Sequence, residues 1–313
     1  MTNPNAQIYF NEAKKLENSK SVFEYLIRDI TSNRYEKISE LYNKAGNIYK
    51  ISDKEKAIKC FKRVLHYNSQ LTDAYNQLNK KDILLNIAEL YSKIDYSKSV
   101  EYYEQIINYY TEKGDVYYII KYYEIIGDLY WTNNCIEESK QIYHKTLNLI
   151  DTNSSDKYGS TKKRICERLC EILINSSSNS INFLEASKIY FELAEEFLKH
   201  KLLTYQAKKY ILLGLLADCA GEDQVKAKID FKKYSNLDYT FANSNEGRFI
   251  EKLFEVIDSN DSEQLSFLCA DLNKIIPLDN IQVTLLSRIK NCIDNGFIDN
   301  NDEHLIDGEL DLS

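Results

Sequence analysis

Residues 126–143 read IGDLYWTNNCIEESKQIY and contain two short patterns that recur along the chain. The first is an apolar residue beside a small one with an aromatic three residues on, here Ile126-Gly127 and Tyr130. The second is a small residue four positions before an aromatic, here Ser139 and Tyr143. Because residues i and i+4 share one face of a helix, the small residue admits a second helix and the ring fills the space beside it. The stretch therefore predicts two helices packed as a hairpin.

The second pattern occurs five times, and successive occurrences lie 40 to 47 residues apart: Ala57/Phe61, Ser99/Tyr103, Ser139/Tyr143, Ala186/Tyr190 and Ala227/Phe231. The first pattern precedes three of them, at Ala45-Gly46, Ile87-Ala88 and Ile126-Gly127, and weaker versions without the aromatic precede the other two, at Leu169-Cys170 and Leu213-Gly214. A period of this length is typical of stacked helical hairpins that bury their apolar faces against neighbouring pairs. We therefore expect an all-α, tetratricopeptide-like right-handed α-solenoid of helical hairpins with a C-terminal helical bundle.

Four regions are expected along the 313 residues. Residues 1–34 form an N-terminal helix and an apolar loop or helix, 35–240 the hairpin repeats, and 241–293 the terminal bundle. Residues 294–313 form an acidic, flexible tail, because they contain no Lys or Arg and many carboxylates. Ser52-Asp53-Lys54-Glu55 has the form of a capping box at a helix start. Gly221 is predicted to cap one helix at its C-terminus, and Asp223 to cap the next at its N-terminus.

Composition excludes several classes of function. Only two prolines and nine glycines interrupt helices, and the 25 tyrosines are expected to pack with the ring inside and the hydroxyl outside. There is no phosphate-binding loop, nucleophile elbow or zinc-type spacing, so we expect neither an enzyme nor a cofactor. A net charge of −8 argues against nucleic acid as the main partner.

Seven scattered cysteines are typical of reduced thiols in a cytosolic protein. Cys166 and Cys170 lie one helical turn apart and could supply half a metal site. The four histidines are dispersed, however, so buried core thiols are the favoured interpretation. The sequence shows neither a signal peptide nor an apolar run long enough for a membrane span.

Three segments resemble the soluble NSF attachment proteins, and above all the alpha form of that family. Lys81-Asp82, Ile87 to Tyr91, Tyr103 and Tyr109 to Gly114 look like the second repeat of the family. Glu246 to Glu255 resembles its first C-terminal helix, and Leu285-Leu286-Ser287-Arg288-Ile289-Lys290 a segment near its end. The chain also closes on Asp311-Leu312-Ser313, similar to the acidic-Leu ending of the family.

The resemblance implies an adaptor without catalytic activity. Such a protein binds the four-helix bundle of an assembled SNARE complex and recruits and stimulates the hexameric ATPase NSF, which disassembles the bundle. It would act in vesicle fusion and intracellular transport, including transport between the ER and the Golgi. The implied location is the cytoplasm, with weak peripheral association with membranes.

The resemblance also assigns a basic inner face that contacts the acidic exterior of the SNARE bundle. Its residues here are Lys121, Arg164, Arg168, and Lys208 or Lys209. The alternative is a solvated helix face, since Lys and Arg together number 40. Asp115 and Asn245 stand where the alpha form carries arginine, which implies a less basic groove or differently charged SNAREs.

An apolar cluster near the N-terminus is the implied membrane contact. Val22 and Phe23 take the place of the paired aromatics of the family loop, with Leu26 close by. Apolar side chains at the tip of a polar surface give weak, reversible membrane affinity. Val22, Leu26 and Ile30 also fit a helical spacing, so a helix packed on the first hairpin is an equal alternative.

The acidic C-terminal end is the implied contact for the basic N-terminal domain of NSF. The matching residues are Asp223, Glu255 and Asp258, while a further acidic position has become Ser259. Leu312 occupies the penultimate position, where the family carries its ATPase-stimulating leucine. The alternative for Asp223 is a helix cap, and for Glu255 and Asp258 a solvated face.

A generic tetratricopeptide-like scaffold that clamps a peptide, such as a chaperone or complex-assembly cofactor, is the second hypothesis. It requires a compact pocket of basic and Asn residues within two or three adjacent hairpins. The SNARE adaptor requires charges spread over most repeats together with the terminal bundle. The spread of basic residues and the bundle favour the adaptor.

Overall fold

The computed structural model describes residues 4–19, 28–71, 73–153, 158–176, 179–199 and 204–295. Apart from turns and short connections, these ranges are helical and contain no strand, which confirms the all-α prediction. The chain divides into two compact units, Met1–Thr152 and Asn153–Ser313.

The first unit contains the following helices in its described part: α1 (Pro4–Asn18), α2 (Arg28–Ser52), α3 (Lys54–Asn68), α4 (Asp73–Tyr91), α5 (Tyr96–Glu112), α6 (Val116–Thr132) and α7 (Ile136–Thr152). Each helix packs against the next along the chain. Glu17 fastens α1 to the hairpin that follows, because its carboxylate accepts hydrogen bonds from the hydroxyls of Tyr42 at 2.6 Å and Tyr67 at 2.9 Å. Arg63 lies 2.7 Å from the same carboxylate.

The second unit contains α8 (Gly159–Ser176), α9 (Ser180–Leu198), α10 (Thr204–Ala220), α11 (Gln224–Leu237), α12 (Tyr239–Ala242), α13 (Asn245–Ser259), α14 (Ser262–Ile275) and α15 (Asn280–Asn295) in its described part. Helix α10 is central: it packs on α9, α11, α13 and α15. Helix α15 also contacts α8, so the last helix of the described chain packs back on the first helix of the unit.

In helical hairpins of the first unit, the glycine of the first pattern packs against the aromatic ring of the second pattern. A Cβ atom added at Gly46 would lie 3.0 Å from the ring of Phe61, and one at Gly127 would lie 2.7 Å from the ring of Tyr143. Both rings are fully buried. The hydroxyl of Ser139 donates to the carbonyl oxygen of Gly127 at 2.9 Å, so the small residue of the second helix also bonds the small residue of the first. Ser99 makes the equivalent bond to Ala88 at 2.8 Å.

The fifth repeat packs differently from the first and third. By analogy with Gly46 and Gly127, the ring beside Gly214 would come from the next helix, but a Cβ at Gly214 would lie 2.6 Å from the ring of Phe191 on the preceding helix α9. Phe231 instead contacts Phe241 and Phe254, with ring centroids 6.0 and 5.8 Å away. The reason is that α10 packs closely along α9, which leaves the aromatic of α11 to the terminal helices.

The helix caps confirm one predicted residue and correct two others. Asp223 caps α11, since its carboxylate accepts a hydrogen bond from the Lys226 amide at 2.9 Å. At the start of α3 the cap is Asp53 and not Ser52, which is the last residue of α2. After α10 the left-handed conformation belongs to Glu222 (φ 66°) and not to Gly221. Gly221 is required for space, because a Cβ there would lie 2.9 Å from the side chain of Leu184.

Candidate partner-binding surfaces

A cleft of about 410 Å³ lies in the second unit among α8, α10 and α15, with Tyr190 of α9 in its wall. Three cationic and three anionic side chains line it: Arg164, Arg168, Lys209, Glu167, Glu171 and Asp279. The remaining lining residues are tyrosine, asparagine or aliphatic. The cleft is therefore a mixed-charge site with an aromatic wall.

The spacing of residues on α8 explains how its charges reach the cleft. Arg164, Glu167, Arg168 and Glu171 are three or four residues apart and share one face of the helix. Ile165, Cys166, Leu169 and Cys170 occupy the opposite face and are buried. This confirms the two cysteines as core thiols, and burial raises the pKa of Cys170 well above its usual value. Burial of one face thus directs the other, charged face into the cleft.

Several charged groups of the cleft pair with other residues of its lining. Arg168 Nη1 lies 2.7 Å from Glu171 Oε2, and Lys209 Nζ lies 3.3 Å from Asp279 Oδ2. The Tyr210 hydroxyl donates to Glu167 Oε1 at 2.7 Å. Burial, and then the bond to Glu167, raise the pKa of Tyr210 far above its usual value, which keeps this hydroxyl protonated as a donor.

Asp279 has two roles at this site, one for each carboxylate oxygen. Oδ1 accepts a hydrogen bond from the Gln282 amide at 2.9 Å, and the Gln282 side chain accepts one from the Asp279 amide at 2.9 Å. This reciprocal pair is a capping box at the start of α15. Oδ2 faces Lys209 of α10. The cap of α15 is therefore also an electrostatic neighbour of the cleft lysine.

A second surface combines the start of α11 with the end of α13. Glu255 and Asp258 are exposed on α13, and Asp223 is partly exposed at its cap position. Lys228 of α11 lies 2.8 and 2.9 Å from the two carboxylate oxygens of Asp258. Both partners are about half exposed, so the pair contributes little to stability and its carboxylate is accessible to solvent.

Comparison with known proteins identifies the family. The family model described as "Soluble NSF attachment protein, SNAP" matches residues 4–294. The chain belongs to the soluble NSF attachment protein family. The beta-soluble NSF attachment protein of Bos taurus is 23% identical over 264 residues, which cover 84% of this chain and 85% of that protein. The alpha-soluble NSF attachment protein of Mus musculus is 23% identical over 282 residues, which cover 90% of this chain and 91% of that protein. The vesicular-fusion protein SEC17 of Komagataella phaffii is 24% identical over 269 residues, which cover 84% of this chain and 86% of that protein.

The five basic residues that the family resemblance assigned to SNARE contact do not all lie at one site. Arg164, Arg168 and Lys209 meet in the cleft. Lys208 points elsewhere, with Nζ 3.4 Å from the carbonyl oxygen of Thr240. Lys121 belongs to the first unit, where it is exposed on α6 with Nζ 5.9 Å from the ring centroid of Tyr122. Of the two neighbouring lysines between which the sequence left the choice open, Lys209 lines the cleft.

Several predicted residues of this SNAP-family chain lie outside the described residues. They are the membrane-contact residues Val22, Phe23 and Leu26, and the tail residue Leu312. The roles of these residues stay predictions, as does the alternative of a packed helix near Val22.

Sequence reasoning missed two acidic residues that organise the second unit. Asp279 carries a signal that could have found it, since Asp279-x-x-Gln282 has capping-box form shortly after Pro277. Glu222 carries no such signal. Its carboxylate lies 2.6 Å from Arg288 Nη2, a contact between residues that are 66 positions apart in the chain.

The described ranges contain no group of three or more His, Cys, Asp or Glu side chains arranged to hold a metal ion. No described helix is both long and apolar enough to cross a membrane.

Proposed function

We propose that the chain is an adaptor that binds assembled SNARE complexes and recruits and stimulates the NSF ATPase for SNARE disassembly. The observation that carries the proposal is the match to the soluble NSF attachment protein family over residues 4–294. The adaptor itself hydrolyses nothing. It acts on the cytoplasmic side of membranes, to which it binds weakly and peripherally.

In this proposal the basic residues hold the SNARE bundle. Arg164, Arg168 and Lys209 face acidic side chains of the bundle from the cleft, and Lys121 contributes from the first unit. Each exposed pair contributes only about 0.2–1 kcal/mol, so several contacts and several bound copies are needed for firm attachment. Electrostatic attraction also accelerates the encounter and makes it sensitive to salt.

The acidic end attaches the complex to NSF. Asp223, Glu255 and Asp258 face the basic N-terminal domain of the ATPase, and Leu312 of the tail stimulates ATP hydrolysis. The cap made by Asp223 is compatible with this contact, because one carboxylate oxygen bonds the Lys226 amide while the side chain stays partly exposed. Val22, Phe23 and Leu26 supply the membrane contact.

One observation favours the second hypothesis, a tetratricopeptide-like scaffold that binds a peptide. The cleft gathers Arg164, Arg168, Lys209 and Asn280 within about 410 Å³, and a peptide clamp requires such a cluster, although three carboxylates in the same lining balance the positive charges. A clamp of this kind would bind an extended acidic peptide as well as it binds a folded helical bundle. The adaptor binds the assembled bundle in preference.

The test is NSF-dependent disassembly of a preassembled SNARE complex. Wild type is compared with Leu312→Ala, and Leu310→Ala serves as a control in the same acidic tail. We expect wild type and Leu310→Ala to support disassembly, and Leu312→Ala to bind the complex without stimulating ATP hydrolysis. Full activity of Leu312→Ala would remove the assigned role of the tail and leave the adaptor. Failure of wild type to bind any SNARE complex, with binding of acidic peptides retained, would favour the scaffold.

A further inference from the structure

We propose that Asp279 determines which partners the cleft accepts, by competing with the partner's carboxylates for Lys209. The proposal rests on the proposed function, because the partner in question is the acidic face of a helical bundle. It adds a specificity-determining residue at the cap of α15, a helix from which no partner contact was predicted.

The first argument is the geometry of the pair. Lys209 Nζ and Asp279 Oδ2 are 3.3 Å apart, and the side chains are 53% and 42% exposed. Asp279 therefore occupies one side of the Lys209 ammonium, and a partner carboxylate that approaches the exposed remainder comes close to the carboxylate of Asp279. The two negative charges repel each other, so Asp279 weakens this binding unless its side chain moves aside.

The second argument is the charge balance of the cleft. Its lining includes Arg164, Arg168 and Lys209 on the positive side, and Glu167, Glu171 and Asp279 on the negative side. The formal sum is zero, so the cleft attracts a weakly acidic surface poorly. Repulsive groups that penalise wrong partners are a general source of specificity. Asp279 fits this role because Arg168 and Tyr210 already hold the other two carboxylates by bonds of 2.7 Å.

The third argument separates the charge of Asp279 from its cap. Oδ1 bonds the Gln282 amide and Oδ2 faces Lys209. Asparagine caps a helix about as well as aspartate. Asp279→Asn therefore removes the competing charge while it keeps an oxygen for the cap, which makes the electrostatic role testable without loss of the fold.

The experiment measures the affinity of four variants for a soluble, preassembled SNARE four-helix complex. These are wild type, Asp279→Asn, Lys209→Ala and the double variant. Asp271→Asn is the matched control, since it makes the same change in net charge at an exposed pair, 2.9 Å from Lys274, on α14. Circular dichroism and thermal unfolding confirm that each variant is folded.

We expect Asp279→Asn to bind about two- to fivefold tighter than wild type at low salt. The gain should fade as salt rises to about 1 M, where the Debye length falls to about 3 Å. In the Lys209→Ala background the gain should also fall away, because no lysine remains to compete for. Asp271→Asn should bind like wild type.

Other outcomes separate the inference from the proposed function. If Lys209→Ala weakens binding but Asp279→Asn matches wild type or Asp271→Asn, the competing role of Asp279 is wrong and the adaptor stands. An equal gain for Asp279→Asn with and without Lys209 also overturns the inference, since net charge alone would then explain it. Absence of binding by wild type overturns both.

Discussion

Arg288 of α15 donates from Nη2 to Oε1 of Glu222 at 2.6 Å and fastens the last described helix to the turn between α10 and α11. Glu222 has a left-handed backbone (φ 66°) and a side chain that is only 10% exposed. Leu285, Leu286 and Ile289 beside Arg288 are buried. The Leu-Leu-x-Arg-Ile-Lys segment that carries the family resemblance is therefore a packing element, and its arginine supports the turn next to Asp223.

Replacing Arg288 tests whether its contact with Glu222 stabilises the protein. We expect Arg288→Ala to lower the free energy of unfolding by about 2–4 kcal/mol, because a largely buried Glu222 carboxylate loses its cation. Urea denaturation measures the change, and hydrogen exchange along α15 shows whether the helix detaches. Lys274→Ala, at a pair with both side chains more than 70% exposed, is the control and should change stability by less than about 0.5 kcal/mol. Equal effects of the two substitutions would contradict the structural role.

Gly127 tests the hairpin packing that the repeat pattern predicts. A Cβ at this position would lie 2.7–2.8 Å from ring atoms of Tyr143, which is fully buried. Gly127→Ala should therefore destabilise the first unit by about 1–3 kcal/mol, despite the better helix propensity of alanine. Gly159→Ala is the control, since no atom lies within 4 Å of a Cβ there, and it should be neutral or slightly stabilising. Thermal unfolding distinguishes the two, and a stabilised Gly127→Ala would refute close packing.

We expect the buried carboxyl group of Asp218 to give the folded protein an unusual dependence of stability on pH. Its side chain is fully buried, and burial raises the pKa of Asp218 to about 6, although hydrogen bonds donated by Lys226 and Ser187 act to lower that pKa. The nearby carboxylate of Asp230 adds to the raising effect of burial. The pKa of an ordinary aspartate is 3.8. Between about pH 4 and 6 the folded state therefore binds more protons at this site than the unfolded state. The stability contributed by Asp218 consequently falls as the pH rises through that window.

The comparison with Asp218→Asn isolates this contribution. From about pH 4 to 6 the stability of wild type relative to Asp218→Asn should fall by about 2–3 kcal/mol, and above pH 6 the difference should level off. Urea titrations at about pH 4.5, 5.5, 6.5 and 7.5 measure it. A difference that is constant with pH would mean that Asp218 titrates normally and is not desolvated by the fold.

Lys208 and Lys209 provide a functional test of the cleft. Only Lys209 lines it, while the amine of Lys208 faces the carbonyl oxygen of Thr240. Lys209→Ala should weaken binding to a SNARE complex about two- to fivefold, and Lys208→Ala should weaken it less. Both variants carry the same net charge, so each controls for the other. A larger loss for Lys208→Ala would place the SNARE contact outside the cleft.

The helical hairpins and their period were predictable because the signal is local. A small residue and an aromatic four positions apart, such as Ser139 and Tyr143, share a helix face wherever they occur. This spacing does not say which residue of another helix a ring packs against: the ring beside Gly127 is Tyr143 of the next helix, but the ring beside Gly214 is not. Its neighbour Phe191 comes from the preceding helix, and the choice between neighbours depends on how closely α10 approaches α9.

Residue identities and short-range spacing in the amino-acid sequence determine the family, the all-α class and the cap at Asp223, and they point to Arg164 and Arg168 as basic surface residues. The convergence of Arg164, Lys209 and Asp279 in one cleft does not follow from them, nor does the contact between Arg288 and Glu222. Arg164 on α8, Lys209 on α10 and Asp279 at the cap of α15 meet only because α15 packs back on α8 and α10. The contact between Arg288 and Glu222, 66 positions apart, depends on the same packing. That packing depends on the summed shape and burial of many side chains, and no local pattern of residues contains it.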